Sequence, residues 1–201
     1  KKTNDGIADA ITKLVCERIP AVYQQGVFDG VQVISPTKKT AAGTTSLNQM
    51  IRSHLAIDQK NAGCCSQGGR TFYAGDKVMQ IRNNYGIEWE RNGETGNGVF
   101  NGDIGILRKV DLNNGLMTID FDGKTTEYPT ESFSELELAY AITVHKSQGS
   151  EFTAVIMPVF PAHKNLMSRN LFYTAVTRAK RLVVLVGRED IIQFMTDNNY
   201  Q

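Results

Sequence analysis

Leu138–Phe152 reads LAYAITVHKSQGSEF, and within it an apolar run stops abruptly at a cluster of small, polar and charged residues. Leu138–Val144 carries too few polar residues for a solvated face, so it is expected to form a strand buried on both sides, as in a parallel sheet. Thr143, His145, Lys146, Ser147 and Gln148 follow at its carboxyl end, where open α/β sheets place their ligands. Gly149 allows close approach of a backbone. A buried strand followed by a polar turn is also an ordinary structural feature, and this stretch alone does not separate the two readings.

A second stretch shifts the balance. Asn170–Lys180, NLFYTAVTRAK, sets Leu171, Thr174, Ala175 and Arg178 at helical spacing and runs directly into RLVVLVG at Arg181–Gly187, another buried strand. HKSQGSEF followed by RNLFYTAVTRAK closely resembles the fifth and sixth motifs of the RecD-like group of superfamily 1 DNA helicases. Further segments resemble that family in family order: VQVISPTKK at Val31–Lys39, AGTTSLNQMI at Ala42–Ile51, GDKVMQIRNNY at Gly75–Tyr85 and FNGDIGIL at Phe100–Leu107. The resemblance covers nearly the whole chain. It implies an α/β fold, a RecA-like (P-loop NTPase-type) parallel sheet domain interrupted by a small all-β SH3-like barrel.

Composition sets outer bounds. The 201 residues, 41% apolar and 21% charged, suffice for one large or two small cores. A net charge of +1 gives no global drive toward nucleic acid, so binding must come from local clusters such as Lys38–Lys39 or the Arg178–Arg181 region. Three cysteines, two of them adjacent at Cys64 and Cys65, match neither a metal motif nor a disulfide framework. No metal site is expected. With no apolar run near the ~20 residues that span a bilayer and no signal-peptide core, no membrane role is expected and a cytoplasmic location is. The chain lacks an initiating Met and opens on an amphipathic segment, which reads as a piece of something longer.

Taken in order, Asp5–Ile19 predicts a helix ending before Pro20, Val31–Ile34 a short strand, and Thr44 or Thr45 a cap for a helix to about Leu55 whose start would welcome an anion. Asp58–Gly69 has no periodicity and reads as a linker or loop. From Arg70 to about Ser134, short alternating runs are punctuated by Asn92–Gly93, Asn101–Gly102, Asn114–Gly115 and Asp122–Gly123. Asn114–Gly115 and Asp122–Gly123 are expected to be two-residue hairpin turns of a barrel. Residues 1–69 and 135–201 are therefore expected to share one discontinuous domain, with 70–134 inserted. The second half predicts strands Leu138–Val144, Thr153–Val159 and Leu182–Val186, and helices Met167–Ala179 and Glu189–Met195.

Phosphoryl transfer from ATP needs a phosphate cradle with a lysine, a carboxylate for magnesium, a positioned water and often an arginine against the developing charge. Only the last is present. There is no GxxxxGK[ST] and no acidic pair ending an apolar strand. The chain alone is expected to be inactive, with ATP and Mg2+ bound mainly by an N-terminal motor domain of the same protein. The resemblance implies that Arg178 is an arginine finger and that Glu151 accepts a hydrogen bond from the nucleotide ribose, beside Gly149 and Gln148. It also implies contacts to single-stranded DNA from Thr143, His145, Lys146 and Ser147, with Ser35 at the end of the fourth motif. Lys38 and Lys39 are either a solvated pair or phosphate contacts, Lys38 toward nucleotide and Lys39 toward DNA. Asn83, Asn84 and Tyr85 are candidate DNA contacts in the barrel, and Tyr85, Trp89 and Phe100 candidate stacking partners. Two rival readings are a non-enzymatic nucleic-acid-binding or protein-interaction module and a subunit of a helicase–nuclease complex, in which cleavage would belong to another chain.

Overall fold

In the computed structural model, which describes residues 3–24, 26–28, 30–55, 63–67 and 69–198, the chain divides into two units. One runs to Leu55 and resumes at Tyr140; the other is residues 56–139.

The first unit opens with α1 (Asn4–Lys13), which buries Ile7 and Ile11 and is capped by Thr3, whose Oγ1 accepts from Gly6 N at 3.2 Å. The predicted stop before Pro20 does not occur: a π turn over Leu14–Arg18 leads into α2 (Ile19–Tyr23). Proline lacks an N–H, and the wider turn, in which Ile19 N donates to Leu14 O, admits it at the start of α2. β1 (Val31–Ser35) is buried throughout. α3 (Thr44–His54) follows, its cap position held by Gly43.

The second unit begins with the hairpin of β2 (Cys64–Gln67) and β3 (Arg70–Tyr73). Then come β4 (Lys77–Gln80), β5 (Asn84–Arg91), β6 (Glu94–Val99), β7 (Ile104–Asp111), β8 (Leu116–Phe121), β9 (Lys124–Pro129) and β10 (Leu136–Leu138). These seven form one antiparallel sheet in the order β10-β4-β7-β8-β9-β5-β6. Phe72, Val78, Ile87, Val99, Leu107, Ile119, Tyr128 and Leu136 share one core. Residues from both edge strands, Val99 and Leu136, meet there, so the sheet curls on itself as the barrel reading expects. Asn92–Gly93 and Asp122–Gly123 are two-residue turns with positive φ at both positions, 53° and 84°, and 53° and 83°. Asn114–Gly115 differs: it closes a four-residue loop between Asp111 and Leu116.

The first unit then resumes with β11 (Ala141–Thr143), β12 (Phe152–Val159), α4 (Arg169–Val176), β13 (Ala179–Gly187) and α5 (Glu189–Asp197). β1, β11, β12 and β13 make a parallel sheet in the order β11-β1-β12-β13. Ser168 caps α4 through Oγ, 3.3 Å from Leu171 N. The helix ends at Val176, three residues before Ala179, which already belongs to β13.

The apolar run Leu138–Val144 is divided between the two units. Leu138 pairs with Val78 and Ala139 N donates to Lys77 O, whereas Ala141–Thr143 pairs with Val33–Ser35. Cys64–Gln67, expected within a linker, pairs with β3; positions 58–62 and 68 of that segment lie outside the described residues. The division therefore falls near 55 and 139 rather than at 69 and 134.

β11 is only three residues long and lies at one edge of its sheet. Its outer side is met by the Asn48 side chain of α3: Nδ2 donates to Ala141 O at 2.9 Å and Oδ1 accepts from Ala141 N at 2.8 Å. Both Asn48 and Ala141 are buried. Asn48→Ala should leave two buried backbone groups unpaired and destabilise this unit by about 2–4 kcal/mol, read as a lower urea midpoint. Asn48→Asp, which keeps the acceptor but loses the donor, should also destabilise it.

Candidate functional site

The parallel register sorts the candidate residues into two sets. Ser35 lies opposite Thr143, so the segments after β1 and β11 both leave the carboxyl-terminal edge of the sheet. Phe152 lies opposite Ala179, so Glu151 and Arg178 stand at the amino-terminal edge. Residues 144–151 run from one edge to the other.

At the carboxyl-terminal edge, Thr143 is half-buried and its Oγ1 accepts from Lys146 N at 3.4 Å. A short 3-10 turn, His145–Ser147, leaves His145 exposed and Lys146 half-buried. Lys38 and Lys39 are exposed beyond β1. The sequence groups Lys38 with Glu151 as nucleotide contacts; the fold instead puts Lys38 on the Ser35 and Thr143 edge, because β1 and β11 are parallel.

Two predicted contact residues turn inward. Ser35 and Ser147 are each 0% exposed. Ser35 Oγ donates to Ala42 O at 2.9 Å, and Ser147 Oγ donates to Val144 O at 2.7 Å. Their hydroxyls are committed to backbone carbonyls and shape the turns rather than facing a ligand. The start of α3 is likewise occupied: Thr44 N donates to Thr37 O and Thr45 N to Lys38 O, at 3.0 and 3.2 Å. A side chain at Gly43 would come within 2.6 Å of Lys38 O, so glycine permits this return of the loop.

At the amino-terminal edge, Arg178 follows the end of α4. Its Nε donates to Thr174 O at 3.2 Å, Nη1 to Ser150 O at 3.3 Å and Nη2 to Thr177 Oγ1 at 3.4 Å. A cation at a helix carboxyl terminus is favoured by the aligned peptide dipoles. The Arg178 carbonyl accepts from Phe152 N at 2.8 Å, so backbone and guanidinium both tie α4 to the Ser150–Phe152 segment. Gly149 has φ +83°, with open space where a side chain would project. Gln148 and Glu151 are exposed, and Glu151 Oε2 pairs with Lys180 Nζ at 3.0 Å. Lys180 lies two residues beyond Arg178 in the basic Arg178–Arg181 region, but its pairing with Glu151 gave no sequence signal.

In the barrel, Asn83 Oδ1 accepts from Asn101 N at 2.9 Å. Tyr85 is 69% exposed and Phe100 40%, and their rings meet edge to face with centroids 5.7 Å apart. Trp89 packs over Gly96 and carries Lys124 Nζ 4.6 Å above its ring. Asn84 belongs to a polar network: its Nδ2 donates to Glu135 Oε2 at 3.0 Å, as do Gln80 Nε2 at 2.9 Å and the Tyr128 hydroxyl at 3.0 Å. Burial pushes the Glu135 carboxyl up, but the bonds from Asn84, Gln80 and Tyr128, with the Arg82 charge, outweigh it and hold its pKa below the ordinary value. Burial, chiefly, raises the Tyr128 phenol. Among the described residues no three His, Cys, Asp or Glu side chains converge as metal ligands, and no helix is long and apolar enough to cross a membrane.

Comparison with known proteins fits this geometry. Residues 138–186 match the UvrD-like helicase C-terminal domain, and residues 47–121 match the SH3 domain of ATP-dependent RecD-like DNA helicases. The ATP-dependent RecD2 DNA helicase of Deinococcus radiodurans is 34% identical over 159 residues, 79% of this chain and 20% of that protein. The RecBCD enzyme subunit RecD of Mycolicibacterium smegmatis is 34% identical over 119 residues, 59% of this chain and 19% of that one. A Bacteroides Pif1 helicase, crystallised with ADP-AlF3 and ssDNA, shares the fold with a TM-score of 0.56 at 19% identity, over 96% of this chain and 47% of that one. The parallel sheet with its barrel is thus a superfamily 1 helicase C-terminal motor domain. Within that class the chain belongs to the RecD-like group. It spans about a fifth of the length of the curated relatives it matches.

The depressed Glu135 carboxyl makes barrel stability depend on pH. A folded-state pKa below the unfolded value of about 4.3 contributes stability above that value and loses it as pH falls through the folded-state pKa. Thermal unfolding from pH 7 to 3 should show this loss in the wild type. In Glu135→Gln that component should be absent and stability at pH 7 lower.

Proposed function

We propose that this chain is the second motor domain, with its barrel, of an ATP-dependent helicase that moves 5′ to 3′ on single-stranded DNA. The phosphate cradle and the magnesium ligands belong to a first motor domain of the same protein. The observation that carries this reading is the placement of Arg178: a guanidinium fixed at one edge of the sheet beside Gly149–Glu151, while the polar residues after β1 and β11 leave the opposite edge.

Arg178 serves as the arginine finger. Its planar, permanently charged fork suits a γ-phosphate, and to reach one Nη1 exchanges the Ser150 carbonyl for a phosphate oxygen. Gly149 leaves the backbone bare where the nucleotide docks, and Glu151 accepts from the ribose. Thr143, His145, Lys146, Lys38 and Lys39 hold phosphates of the strand, with Ser35 and Ser147 setting the turns that present them. Gln148 lies in the segment joining the two sets. Hydrolysis reopens the cleft between motor domains and resets the grip on DNA. In the barrel, Tyr85, supported by Phe100, stacks on a base, and Asn83 and Asn84 set the strand from which it projects. The matches to RecD subunits of RecBCD support a second setting for the same chemistry, as the motor of a helicase–nuclease complex.

DNA-stimulated ATP hydrolysis tests the reading. The 201-residue chain alone should be silent and the longer protein active. In the longer protein Arg178→Ala should lower turnover by ~10³-fold or more, and near-wild-type turnover would remove Arg178 from the site. Tyr85→Ala should weaken single-strand binding by about 1–3 kcal/mol, measured by fluorescence anisotropy at fixed salt.

A further inference from the structure

The contact between Glu151 and Lys180 has a geometry that suits one task. Phe152 N donates to Arg178 O at 2.8 Å, and Phe152 pairs with Ala179. This backbone pairing fixes the entry to β12 against the entry to β13, and Lys180 thereby sits across from Glu151. The ammonium lies 3.0 Å from Oε2, and the two side chains stay 60% and 61% exposed. Left by itself, a glutamate so exposed would lose rotamer freedom on binding anything.

We propose that Lys180 is a positioning residue for nucleotide recognition: by holding Glu151 Oε2 it orients the carboxylate and leaves Oε1 to accept from a ribose hydroxyl. This rests on the assignment of Glu151 to the ribose. The identity of the cation matters. A lysine is a point donor that engages one oxygen, whereas an arginine fork engages both oxygens of a carboxylate side by side and would leave none for the sugar.

The test uses the full-length protein, with ATP and 2′,3′-dideoxy-ATP as the two nucleotides. Lys180→Met should raise KM for ATP about three- to fivefold, the range open to an exposed ion pair, with the loss falling on KM rather than kcat. Lys180→Arg should raise it as well. Neither variant should change KM for dideoxy-ATP, which has no hydroxyl for Glu151 to accept. Glu151→Ala, which removes the acceptor, is the control for the underlying assignment. If it leaves KM for ATP unchanged, the ribose reading falls and the role of Lys180 with it. If Glu151→Ala raises KM while Lys180→Met does not, the ribose reading stands and Lys180 is not a positioning residue. Restoration of the wild-type KM by Lys180→Arg, or equal losses with dideoxy-ATP, would reduce Lys180 to a general charge effect and overturn the proposal.

Discussion

The pair of hydrogen bonds between the Asn48 amide and the backbone of Ala141 is the interaction on which the first unit depends. β11 has three residues and one strand neighbour, too little pairing to hold an edge strand by itself. The side-chain amide acts as a second strand, satisfying one N–H and one C=O that are buried away from water. Through it α3 fixes β11, and β11 fixes the point from which Thr143 and the His145–Ser147 turn leave the sheet. Gln32 adds to this on the other side: fully buried in β1, it donates through Nε2 to Tyr140 O at 3.1 Å. The position of the polar turn is thus set by buried amides rather than by the length of the strand that precedes it.

Parallel strands impose the second constraint. Every strand of such a sheet has its carboxyl end on the same edge, so a chain that pairs β11 and β12 with β1 must travel back across the sheet between them. Residues 144–151 make that return in eight positions, and the candidate residues are distributed along it by edge. The polar turn belongs to one edge, while Ser150 and Glu151 meet Arg178 and Lys180 at the other. One short segment therefore belongs to both sets of candidate residues.

Much of this was legible in the residues. Apolar runs, short at Val31–Ile34 and longer at Thr153–Val159 and Leu182–Val186, marked β1, β12 and β13, and Asp122–Gly123 and Asn92–Gly93 carried the φ values their turns require. Alternating runs between such turns identified the barrel. Other features were hidden for physical reasons. Leu138–Val144 looks uniform because burial in one sheet and burial in another demand the same side chains, so nothing local marked the handover at Ala139 and Tyr140. Pro20 was expected to end a helix that a π turn carries through. Ser35 and Ser147 have the chemistry of phosphate ligands, but small hydroxyls near strand ends also bond to nearby carbonyls, and here that use won. Lys38 sorts to its edge only once strand direction is known. The roles of Asn48, Glu135 and Lys180 depend on partners distant in sequence, which no spacing rule reports.

The most direct test of the central claim, that 144–151 links two functional edges, is amide hydrogen exchange of that segment in the full-length protein with a non-hydrolysable ATP analogue and no DNA. The expected result is altered protection at Ser150–Phe152 together with Thr143–Ser147, reaching the edge the nucleotide does not touch. A change confined to Ser150–Phe152 and Arg178–Lys180, with Thr143–Ser147 exchanging as in the free protein, would contradict the link.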